Sequence, residues 1–216
     1  MTDIYLFLGP HLDKPDFERL KSNVGQLSKE LSKKEKLISI IEYGGPPYLP
    51  SWTISEDVVS SDEKFKEYFD EQRTLINEDI IFFIKNRKSQ PNITTSPFHE
   101  LNLNLLLDLG AELVLENVPF DEYKKFVRDC HKFLRINMPK MIMENIRNGN
   151  FSEPHLDNEK FQKPMNDMRD RFIVRQIRLL SNQNPKASFM IVRGNWHKDL
   201  VDLLKKENFN VIDVFY

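Results

Sequence analysis

The 216-residue chain carries a single cysteine, Cys130, so it can form neither an internal disulfide nor a cysteine-rich zinc cluster. Such a chain suits a reducing compartment. It has no run of about 20 apolar residues, and the opening "MTDIYLFLGP" has no basic segment ahead of its short apolar stretch. These absences set the expectation of a cytoplasmic protein without a membrane partner. A formal net charge of −2 leaves no electrostatic footprint for nucleic acid, and basic stretches such as "SKKEK" are diluted by acids. GxSxG, GxxxxGK[ST], HExxH and GxGxxG are all missing. Serine hydrolase, P-loop NTPase, zincin and dinucleotide-binding readings therefore lose their support.

What is present points to an α/β fold. Apolar runs at Ile4–Leu8, Leu37–Ile41, Glu112–Leu115, Ser188–Val192 and Val211–Phe215 read as strands, the first four suited to a sheet covered on both faces. Helical patterns lie between them. They cover Asp16–Glu35, Asp62–Arg73 with Ile76–Asn86 as one or two helices, His99–Leu109, Lys163–Ser181 and Trp196–Glu207. Phe120–Arg147 should be split in two at Pro139, and Gly110 is a good C′ residue for the helix before it. Strands alternating with helices predict a central, largely parallel sheet flanked by helices. The length predicts one domain over 1–216, with roughly 43–110 and 140–163 as loop and helical decorations that could form a lid.

In an open α/β sheet, ligands bind outside the carboxyl ends of the strands. After the first strand come Gly9 and His11, after the second Glu42, after the third Glu116, and after the fourth Arg193, Gly194 and His197. Imidazole, carboxylate and guanidinium groups thus gather where a cleft would lie. With Asn195 as a helix cap, His197 would sit in the first turn, where the macrodipole favours neutral imidazole. Gly194 would permit a tight or positive-φ turn. In the helix "PMNDMRDRFIVRQIRLLS", Met165, Met168, Phe172, Ile173, Leu179 and Leu180 form an apolar face from which Arg169 projects. A guanidinium there needs a carboxylate or an anionic ligand, and Glu42 and Glu116 are the candidates. Asp170 either joins that set or faces solvent. His131 packs on a helix whose aromatics are core, while His99 and His155 border irregular loops.

The ordered motifs resemble the superfamily that joins TraB/TIKI proteins, ChaN-like proteins and the erythromycin esterases. "FLGPHLDKP" with His11, "SIIEY" with Glu42, "LLLDLGAELVLENVP", "MRDRFIVRQI" with Arg169 and Asp170, and "FMIVRGNWHKDLVDLL" with Gly194 and His197 follow its order. Three positions depart from it: Gly-Pro-His replaces GxxH, Met168 precedes Arg169, and Trp196 stands where a smaller residue is commoner. The resemblance implies a hydrolase acting on an ester or peptide-like substrate, with His11, Glu42, Arg169 and His197 as its centre. Glu116, Asp170, Arg193 and Gly194 would support them. A histidine backed by Glu42 or Glu116 would activate water. Alternatively His11, Glu42 and His197 would hold a divalent ion such as manganese, cobalt or zinc. The rival is a non-catalytic protein of the same fold that holds a small anion, a haem-like ligand or a peptide.

Overall fold

The structure, a computed structural model, describes residues 2–10, 14–42, 54–90, 97–148 and 158–216. It is a mixed α/β protein with five strands in one all-parallel sheet, ordered β3-β2-β4-β1-β5. The strands are β1 (Asp3–Leu8), β2 (Lys36–Ile41), β3 (Glu112–Leu115), β4 (Ala187–Arg193) and β5 (Asn210–Phe215). Each expected strand is present, with its bounds extended by at most one residue at an end. The helices are α1 (Lys14–Leu31), α2 (Glu56–Ser60), α3 (Asp62–Asn86), α4 (Pro97–Asp108), α5 (Phe120–Arg147), α6 (Asn158–Gln183) and α7 (Asp199–Lys206). Among the described residues, no helix is long and apolar enough to cross a membrane.

The chain divides into two compact units, one formed by Met1–Gly44, Leu75–Asn117 and Asp167–Tyr216, the other by Gly45–Thr74 and Val118–Asn166. The first contains the sheet. Side chains alternate across a strand, so each strand supplies two faces. Tyr5, Phe7, Leu37, Ile41, Met190 and Val192 point one way and pack with Phe17, Leu20 and Val24 of α1, Ile80 and Phe83 of α3, and Leu103 and Leu106 of α4. Ile4, Leu6, Leu8, Ile38, Ile40, Phe189 and Ile191 point the other way and meet Ile173 and Ile177 of α6 with Leu200 and Leu204 of α7. The sheet is covered on both faces, as the continuous apolar runs require. Crossovers that start from β1 and β2 carry helices on the Tyr5 face, and those from β3 and β4 on the Ile4 face. The chain reverses its direction across the sheet after β3, and right-handed crossovers demand that change of face.

In the second unit, α2, the first part of α3 and α5 bury an aromatic cluster. Phe65 and Phe69 lie 5.8 and 5.6 Å from Tyr123, and 5.8 and 5.4 Å from Phe120. Arg128 donates to the Val59 carbonyl at 3.0 Å and pairs with Asp62 at 2.5 Å. Tyr123 of this helix is fully buried and Phe120, Phe126 and His131 are half-buried.

Several local expectations need correction. α5 continues through Pro139: losing one backbone bond does not end a helix whose other turns remain intact. α6 begins at Asn158, ahead of Lys163, and contains Pro164. Leu179 is 63% exposed, and Ile177, fully buried, takes its place in the core. Gly194 has φ −66° and ψ 162°, so it needs no left-handed conformation. Asn195–His197 form a single 3-10 turn and α7 starts only at Asp199, so Asn195 is not the cap of that helix. Gly110 does close α4 with φ +74°: its N–H reaches the Leu107 carbonyl at 3.0 Å and the Ala111 N–H reaches Leu106 at 3.0 Å, a Schellman arrangement. Asn208 closes α7 in the same way at φ +62°.

Gly9 has a different reason to be glycine. A Cβ there would lie 2.7 Å from the ring and from the backbone carbonyl oxygen of Tyr216. Gly9→Ala should therefore lower stability by about 1–3 kcal/mol, because the backbone contact cannot swing aside. Gly25, exposed in α1 with nothing near its would-be Cβ, should instead gain about 0.5–1 kcal/mol as alanine. Urea unfolding of the two variants checks both signs.

Candidate functional site

Register places the key groups on one level. Ile41 lies opposite Leu115, so Glu42 and Glu116 lie opposite each other one residue later. Ser39 lies opposite Met190, which brings Arg193 to the level of Glu42, and Arg193 itself is in register with Leu8. Side chains of one row in a parallel sheet face the same way. Leu8 belongs to the Ile4 face, so Glu42, Glu116 and Arg193 share that face at the carboxyl edge. α6 packs on the same face and carries Arg169.

Arg169 meets both expected carboxylates. Its Nε and Nη2 donate to the two oxygens of Glu116 at 3.0 and 3.1 Å, and Nη2 also donates to Glu42 Oε1 at 2.5 Å. Arg193 donates through Nη2 to Glu116 Oε2 at 3.1 Å and through Nη1 to its neighbour's carbonyl, that of Val192, at 3.1 Å. Its Nη1 is 3.9 Å from Glu42 Oε2. Arg193 is fully buried and Arg169 is 2% exposed. Two cations and two anions give a buried quartet with no formal net charge. Burial opposes ionisation of Glu116, but the guanidinium groups of Arg169 and Arg193 outweigh it and hold the carboxyl below its ordinary value. Arg193 Nε has no hydrogen-bond partner among the described residues.

A second pair lies beside the quartet in sequence. His197 Nδ1 is 2.6 Å from Asp170 Oδ1, and both residues are buried. A carboxylate can only accept, so Nδ1–H donates, and in the neutral tautomer this contact selects, the lone pair is on Nε2. Asp170 is thereby drawn inward and does not face solvent. It also lines a cleft of about 290 Å³ with Asp167, Arg171, Asp199, Asp202 and Lys206, between α6 and α7. That volume approaches the lower end of small-ligand sites.

The structure brings Glu42, Glu116, Arg169 and Arg193 into one cluster and Asp170 and His197 into one pair. His11 and His155 lie outside the described residues. Gly194 provides the turn between Arg193 and His197. Trp196, which stands where a smaller residue is commoner in that superfamily, is 54% exposed and lines neither the α6–α7 cleft nor the smaller space beside β2. Among the described residues, no group of three or more His, Cys, Asp or Glu side chains could hold a metal ion. Of the three residues proposed as metal ligands, Glu42 is engaged by Arg169 and His197 Nδ1 by Asp170.

Two residues went unnoticed in the sequence. The Tyr216 ring sits over Gly9, and its hydroxyl has no hydrogen-bond partner among the described residues. Burial first, then the charges of Asp16 and Glu42, push that phenol well above its ordinary range. Asp16 is itself buried and paired with Arg19. A glycine directly after a strand was the one available signal for Tyr216, since it marks close approach by another chain segment.

Glu116→Gln should cost about 3–5 kcal/mol near neutral pH, because it leaves two buried guanidinium groups sharing Glu42. The wild-type contribution from Glu116 is complete above its unfolded value, near 4.5, and is lost as pH falls through the lower folded value. Urea midpoints measured from neutral to acid pH should therefore fall below about 4.5 in the wild type, and fall less in the variant. The functional reading rests on this chemistry alone: comparison with known protein families, curated proteins and solved structures returns no match.

Proposed function

We propose that the protein is a hydrolase that activates water with His197 and acts on an ester or peptide-like substrate. The observation that carries this reading is the 2.6 Å contact between His197 Nδ1 and Asp170, which fixes the ring and leaves Nε2 to take a proton. Proton removal from water by a carboxylate-oriented imidazole is the same division of labour as in an acid–base triad. The quartet has a positioning role. Arg169 is the chain neighbour of Asp170, and Arg193 precedes His197 by one short turn, so locking both arginines sets the two halves of the dyad. Asp170 lines the α6–α7 cleft, the side from which substrate would approach, while His197 is 3% exposed and is not among the residues lining it.

A second reading, a non-catalytic protein holding a small anion, a haem-like ligand or a peptide, draws on a different observation. Both guanidinium groups are already paired with carboxylates and are 2% exposed or less. Neither is poised to receive developing charge from a substrate.

The test is turnover of a panel of aryl esters and fluorogenic peptides by the full chain, with and without added divalent ions. His197→Gln and Asp170→Asn should each lower kcat/KM by about 10²–10⁴-fold while the circular dichroism spectrum stays native. Turnover that survives in His197→Gln would end the acid–base assignment. A folded wild type inactive across the panel would favour the binding protein.

A further inference from the structure

A small space on the Tyr5 face of the sheet has a chemical character of its own. It lies between β2 and α4, lined by Ser39, Glu42, His99 and Asn102 with apolar walls that include Phe98 and Val192. It has room for the centre of a water-sized sphere over about 10 Å³. Ser39 is 1% exposed and Asn102 8% exposed. Neither Ser39 Oγ nor Asn102 Oδ1 has a hydrogen-bond partner among the described residues. Two neutral polar groups, from a central strand and from the helix covering it, therefore line the same small space with their hydrogen-bonding capacity unmet.

We propose that this niche binds one ordered water molecule, held by Ser39 and Asn102. A buried polar atom without a partner loses the hydration it has in the unfolded chain, and two such atoms in contact with one void compound the loss. Water meets both needs. It donates to an amide oxygen, and it either accepts from the serine hydroxyl or donates to it. If the amide is turned the other way, water accepts instead. The size also suits a water, since about 10–15 Å³ by this measure is the least that holds one. Glu42, at the end of β2, borders the same niche. The site is independent of the hydrolytic reading and does not use the His197–Asp170 pair.

A crystal structure of the full chain, at a resolution that places waters, should show a density peak within about 3.2 Å of both Ser39 Oγ and the Asn102 amide. Ser39→Ala should remove that peak. It should also lower the thermal midpoint by about 2–4 °C, since it takes one anchor from the water and leaves Asn102 unsatisfied. A dry niche predicts the opposite sign: deleting an unsatisfied hydroxyl leaves the midpoint unchanged or raises it. Absence of the peak in the wild type, or a midpoint that does not fall in Ser39→Ala, overturns the proposal.

Discussion

The two-pronged contact of Arg169 with Glu116 holds together the chemically interesting end of the molecule. A guanidinium fork matches a carboxylate in geometry as well as charge, and few other pairs could join a helix to a strand end so specifically. Its partners are what make it tolerable. Moving one charge from water into a protein interior costs several kcal/mol, and a lone pair repays this only when geometry and further hydrogen bonds are good. Here Glu116 accepts from two arginines, Arg169 donates to two glutamates, and the set carries no formal charge. Such a cluster stabilises less than apolar packing of equal volume would. It specifies more, because no other arrangement of β2, β3, β4 and α6 would satisfy the same four groups.

That specificity begins with the period of a strand. Glu42 and Glu116 each follow the last residue of their strands, and Arg193 is the last residue of β4. A shift of one residue in any pairing would send one of these groups to the Tyr5 face, away from α6. The ion cluster and the register therefore enforce each other. The apolar alternation of Ile38, Ile40, Phe189 and Ile191 sets the faces, and the charged row rejects registers that the apolar pattern alone would tolerate.

The strands were legible in the sequence because fully buried parallel strands are short, continuous apolar runs, and such runs are unambiguous between charged helices. The carboxylate partners of Arg169 were legible too, since a cation within an apolar helix face has few physical solutions. Other features depend on distant chain segments. Asp170 has the same local pattern whether it faces water or a histidine 27 residues away. Leu179 fits the margin of an apolar stripe by angle, yet it is exposed while its neighbour Leu180 packs against the sheet. Pro139 removes one donor, and whether a helix survives that loss is settled by its neighbouring turns. Tyr216 was hidden because its meaning lies in a glycine at the far end of the chain.

The same alternation that assembles the quartet also separates two environments. Ser39 and Asn102 border a small niche beneath α4 on the Tyr5 face, whereas Asp170 borders an open acidic cleft between α6 and α7 on the Ile4 face. Neutral groups and a single water suit the first. In the second, four aspartates stand against Arg171 and Lys206, a field that favours a neutral or cationic group and opposes an anion. A molecule entering that cleft would meet a surface of negative charge. An amine or amide substituent is better matched to that approach than a phosphate or a free carboxylate. Affinity gained there would weaken as salt screens the exposed aspartates, while the quartet, shielded from ions by burial, would keep its geometry unchanged.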